Sequence, residues 1–119
     1  MGDVIFNQRY ELREILESIP GIKILTVGNH DRRTGTNNWF LRMGFNYVCK
    51  SHEFKGILFS HKPIDIKDYP GVKWNVHGHL HSNTHDMAQY PFYDPAVHIK
   101  VSVEETNYMP VPLDKLVAL

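Results

Sequence analysis

Lys23 to Asp31 reads KILTVGNHD: an apolar, β-branched run, a glycine, and then three consecutive side chains that bind metals or move protons. The run over Ile22–Val27 predicts a short buried strand. Asn29, His30 and Asp31 therefore fall just past a strand end, where loops build sites on a rigid scaffold. The arrangement recurs twice. Phe54–Ser60 predicts a strand ending at His61, and Val72–Val76 predicts one ending in HGHLH, His77 to His81. Strand ends that converge on one edge of a sheet bring their loops into one site. Gly2-Asp3 has the same look at the junction before the first helix.

The rest of the chain supplies the frame. From Arg9 to Ile19, the residues Leu12, Ile15, Leu16 and Ile19 fall on one helical face, stopped by Pro20-Gly21. Thr36–Met43 predicts a short helix ended by Gly44. Tyr47–Lys50 reads as a strand, Lys62–Gly71 as a proline-bearing loop, and Asn83–Pro95 as irregular. Val97–Val103 reads as a further strand, and Pro112–Leu119 as a closing helix. Strands and helices interspersed in this way give an α/β (α+β) class in a single domain spanning 1–119.

Composition narrows the function. The 119 residues carry no formal net charge, which argues against a protein that binds through a broad basic face. The single Cys49 excludes an internal disulfide and a cysteine-rich zinc site, and fits a reducing compartment. No apolar stretch is long enough to span a bilayer, and no signal peptide opens the chain, so it reads as cytoplasmic. Eight histidines beside one cysteine point to a metal site of imidazole and oxygen ligands.

The candidates are Asp3, Asn29, His30, Asp31, His61, His79 and His81. Carboxylate, amide oxygen and imidazole suit divalent manganese, iron, zinc or nickel. Two such ions bridged by a carboxylate can hold a hydroxide and clamp a phosphoryl group. In an extended strand His79 and His81 would point to the same side. His30, with Asp31 to orient its ring or raise its pKa, could hand a proton to a leaving oxygen.

In this order at strand ends, GD, GNHD, SH and GHLH closely resemble the motif series of the calcineurin-like metallophosphoesterases, over nearly the whole chain. The resemblance implies a two-sheet β-sandwich flanked by helices that hydrolyses phosphomonoesters, phosphodiesters or pyrophosphates with a metal-bound hydroxide. It makes Asp3 the ligand bridging two divalent ions. Asn29, His61 and His79 then bind the second metal, His81 binds the first, and His30 is the proton donor. The family's opening Asp-x-His motif is absent, because only Met1 precedes Gly2-Asp3. The first metal thus lacks two family ligands, and the sandwich lacks its first strand. Three readings follow: an N-terminally truncated enzyme, a chain completed by another polypeptide or a second copy of itself, or a non-catalytic metal-binding scaffold. The partner is a phosphate-ester substrate, with nucleic acid entering only as a candidate substrate and no membrane.

Other residues take the plainer reading. Arg32 and Arg33 read as a solvated turn before phosphate contacts. His77 reads equally as support for the ligands or as a strand histidine. Asn83 and His85 are candidates for the substrate mouth. His52 and His98 read as structural or exposed, Trp39, Phe40 and Trp74 as core, and Cys49 as a small buried apolar residue.

Overall fold

Helix α1, Leu12–Ser18, opens the part of the chain that the computed structural model describes, namely residues 12–80, 88–102, 106–107 and 109–117. The predicted helical start at Arg9 lies outside these residues. Leu12 and Leu16, one turn apart, are buried, whereas Ile15 and Ile19 are about half exposed (53% and 48%). Only the i, i+4 pair of the predicted stripe faces the core.

Strand β1, Ile24–Thr26, is followed by helices α2, Asn29–Thr34, and α3, Asn37–Met43, and then by strand β2, Tyr47–Cys49. The two strands are parallel, with Leu25 opposite Val48, so the two helices supply the crossover that parallel pairing demands. Thr36 caps α3 by accepting the Trp39 backbone N–H. Gly44 ends α3 at φ 131°, and a Cβ there would lie 3.3 Å from the Leu16 side chain. A side chain at this position would be strained by that φ and would need the Leu16 side chain to give by a few tenths of an ångström. Leu12, Leu16, Leu25, Phe40 and Phe45 form the first core, with Trp39, Met43 and Val48 packed against it.

The second sheet has the order β3 (Ser51–Phe54), β4 (Ile57–Ser60), β5 (Trp74–His77), β6 (His98–Lys100). The strand predicted over Phe54–Ser60 is corrected. Lys55 and Gly56 both take positive φ, 51° and 78°, and reverse the chain as the two-residue turn of a hairpin. Phe54 therefore ends β3 and only Ile57–Ser60 forms β4. β3 and β4 are antiparallel, while β4, β5 and β6 are parallel. Ile57, Val76 and Val117 form a second core, against which Phe59, Trp74, Ile99 and residues of α4, Leu113–Leu116, pack.

The architecture is mixed α/β with two small sheets and flanking helices. Among the described residues, no helix is long and apolar enough to cross a membrane. Parallel β4 and β5 place Ser60 opposite His77, so the residues that follow, His61 and Gly78, leave the sheet at one edge. The Gly78 N–H donates to the His61 carbonyl at 3.0 Å and ties the two exits together.

Candidate functional site

Asn29 opens α2 rather than lying in a loop. Gly28 stands before it in an extended conformation, and the Arg32 N–H donates to the Gly28 carbonyl as the first helical bond. The Asp31 carboxylate turns back to accept the Gly28 N–H at 3.1 Å and is fully buried. An acidic residue at the third helical position satisfies an amide that the helix start would otherwise leave open. Asp31 thus fixes the turn that presents Asn29. His30 sits half-buried in the first turn of α2.

His61, 4% exposed, follows β4 in a segment held from two sides. On one side stands Asn75 of β5, fully buried. Its Oδ1 accepts the Ile64 N–H at 2.8 Å, and its Nδ2 donates to the Leu58 carbonyl and Ser60 Oγ, each at 2.9 Å. The Ser60 hydroxyl in turn donates to the Lys62 carbonyl at 2.6 Å. On the other side His98 Nε2 donates to the Ile64 carbonyl at 2.8 Å, while His98 Nδ1 accepts the Asp94 N–H. His98 is therefore structural and held in one tautomer.

The GHLH segment departs from the extended conformation expected of it. His79 has φ 64°, and the Leu80 N–H donates to the Gly78 carbonyl at 2.7 Å. A bond from residue i+2 to residue i around a positive-φ residue is the strained form of the γ-turn. A β-carbon in this region costs about 1–2 kcal/mol. Such conformations persist where surrounding structure enforces them, and they cluster at functional sites. His77 is fully buried beneath this turn. Its Nδ1 donates to the Gly78 carbonyl at 2.9 Å, and its Nε2 accepts the Tyr93 hydroxyl at 3.0 Å. Burial lowers its pKa to about 4, so the ring is neutral and supports the turn.

The outcome is a convergence. Asn29 Oδ1 lies 3.1 Å from His61 Nε2, and His61 Nε2 lies 3.0 Å from His79 Nδ1. In the tautomers that leave these two ring nitrogens unprotonated, all three atoms offer lone pairs to a cation. Ligands on a divalent ion at about 2.1 Å, set at right angles, are separated by about 3.0 Å, so the spacing is that of donors to one cation. Two imidazoles and an amide form this cluster, and among the described residues no group of three or more His, Cys, Asp or Glu could hold a metal. Asp3 and His81, the other expected ligands, lie outside the described residues, as do Asn83 and His85.

A cleft of about 310 Å³ opens beside the cluster, with Asn29 and His61 in its wall and Arg32, Lys50 and Lys62 around it. Arg32 Nη1 donates to Asn37 Oδ1 at 2.8 Å. Nothing is described of the Arg33 side chain. Cys49 is half-buried with its Sγ toward the Leu25 carbonyl, and burial raises its thiol pKa, which argues against a nucleophile.

The sequence reading missed Asn75, Tyr93, Lys50 and Lys62. Asn75 left one signal, an amide in the middle of the apolar strand KWNVH, which requires buried partners. The lysines left none.

Over 124 aligned positions that take in the whole chain, the sequence is 35% identical to an uncharacterized protein of the archaeon Methanocaldococcus jannaschii. The chain spans 62% of that protein's length. No protein-family profile matches the chain, and no solved structure does.

Proposed function

We propose that this chain is a divalent-metal-dependent phosphoesterase with the calcineurin-like sandwich. The observation that supports it best is the convergence of Asn29 Oδ1, His61 Nε2 and His79 Nδ1 within 3.1 Å of their neighbours. These three side chains would hold one ion, and Asp3 would bridge it to a second ion that His81 also binds, at a site still short of two family ligands. A bound divalent ion polarises a phosphoryl oxygen and lowers the pKa of water near it. The chain's own residues do the rest. Asp31 and the Asn75 and His98 clamps fix the ligand-bearing turns, so little reorganisation accompanies binding. Arg32 neutralises a non-bridging phosphate oxygen, and His30 gives a proton to the leaving oxygen.

The test is hydrolysis of bis(p-nitrophenyl) phosphate by full-length protein with added manganese. Activity that falls at least a hundredfold in His61→Ala and His30→Ala supports the reading. A wild-type rate no higher than that of His30→Ala refutes it. A second reading, a scaffold that binds one ion without catalysis, is favoured by the cluster holding the donors of a single ion. Elemental analysis separates the two: two ions per chain favour the enzyme, and one ion with no turnover favours the scaffold.

A further inference from the structure

The cleft beside the donor cluster is lopsided in charge. The chain balances 13 basic against 13 acidic residues, yet among the described residues Arg32, Lys50 and Lys62 line this one cleft and no carboxylate does. Lys50 follows β2 and Lys62 follows His61 beyond β4, so two strand ends bring a lysine to the wall of the same concavity. The ion pairs among the described residues are Arg13 with Glu17 and Lys67 with Asp65, which leaves both cleft lysines without a carboxylate partner there. Like charges gathered in one cleft repel, and they focus the field for an anion. A phosphodiester carries one negative charge, which Arg32 alone would match. Two further ammonium groups exceed what that substrate needs.

We propose that Lys50 and Lys62 form a subsite for a second phosphate, so that the cleft takes a small substrate bearing two linked phosphates, a diphosphate ester. One phosphate sits at Asn29, His61 and His79, and the next lies between the lysines. The volume of about 310 Å³ is at the lower end for small-molecule pockets and suits a compact diphosphate. The assignment of the first phosphate rests on the phosphoesterase reading. The charge argument for the second does not.

The test therefore has a binding arm and a kinetic arm. In metal-free full-length protein, calorimetry should show methylenediphosphonate binding at least tenfold more tightly than inorganic phosphate. Lys50→Ala and Lys62→Ala should each weaken the diphosphonate about tenfold, the usual loss for one charged hydrogen bond. Lys→Arg at either position should restore much of it. Lys67→Ala, a lysine outside the cleft, should leave it unchanged, and circular dichroism checks that each variant is folded. With manganese, the same two alanine variants should raise KM for a diphosphate ester about tenfold and change kcat less than twofold. Equal affinity for phosphate and diphosphonate, or variants that bind like wild type, overturns the subsite. Selective diphosphonate binding without hydrolysis of any ester leaves the subsite standing and overturns the phosphoesterase reading instead.

Discussion

His79→Gly is the most discriminating single substitution. In the metal-free protein three terms oppose one another. Glycine removes the left-handed strain at φ 64°, a gain of about 1–2 kcal/mol. It loses the 3.0 Å contact between His79 Nδ1 and His61 Nε2, a loss of about 1 kcal/mol. It also frees the unfolded chain, a further loss of about 0.5–1 kcal/mol. The sum lies within about 1 kcal/mol of wild type. His61→Ala differs, because its ring is 4% exposed and fills the space beneath the cleft. Emptying that space should lose about 2–3 kcal/mol. Metal reverses the comparison. Manganese at a hundredfold its dissociation constant stabilises wild type by about 2.7 kcal/mol, or roughly 10 °C in Tm for a domain of this size. Both variants should lose that shift. Thermal unfolding of the three proteins, each with EDTA and with manganese, is the assay. The reasoning fails if metal-free His79→Gly melts as low as His61→Ala, or if it keeps the manganese shift.

Lys55→Asn should stabilise the protein by about 0.5–1 kcal/mol, since asparagine accepts the φ of 51° at the β3–β4 turn more readily than lysine; an unchanged urea midpoint counts against this. Asn75→Ala should lose about 3 kcal/mol by stranding the Ile64 N–H and the Leu58 carbonyl, and should weaken manganese binding by loosening His61; calorimetry and urea unfolding read the two effects. His77 should make metal-free stability pH-dependent. Its folded pKa of about 4 lies below the unfolded value near 6.5, so the unfolded state takes up more protons, and stability is full above about 6.5 and declines as pH falls toward 4, by about 2–3 kcal/mol. Burial leads that shift, and the nearby His98, Lys100 and His61 reinforce it. Urea midpoints at pH 7 and 4.5 should therefore diverge more in wild type than in His77→Gln.

The strand ends were legible because their signal is local. An apolar run followed at once by Asn29, His61 or His79 needs no tertiary knowledge to mark a candidate ligand. The errors have physical causes of other kinds. The β3–β4 turn was hidden because lysine at positive φ carries no turn signature, and Gly56 alone reads as a strand irregularity. Periodicity put Ile15 and Ile19 on the buried face because it measures spacing, not which neighbours arrive to cover a residue. The left-handed turn at His79 was invisible for a deeper reason. Local preference opposes it, and distant groups enforce it: His61 through its carbonyl to Gly78, and Tyr93 through the His77 ring. Sites of this sort are where reading by local rules should fail.

That enforcement has a direction. The donors come from two separately packed units: Asn29 leaves the β1–β2 sheet over the core of Leu12, Leu16, Leu25, Phe40 and Phe45, while His61 and His79 leave the four-stranded sheet over the core of Ile57, Val76 and Val117. Each unit stiffens its own donor, through Asp31 in the first and through Asn75, His77 and His98 in the second. The contact of 3.1 Å between Asn29 and His61 then spans the two units. A cation held by all three side chains would link one core to the other, so its affinity would depend on how the sheets are set against each other as much as on ligand chemistry. Arg32 of the first unit and Lys62 of the second flank the same cleft, with Lys50 between them at the β2–β3 junction. An anion bound there would draw the units together from the substrate side. Metal and substrate would thus bridge the same two units.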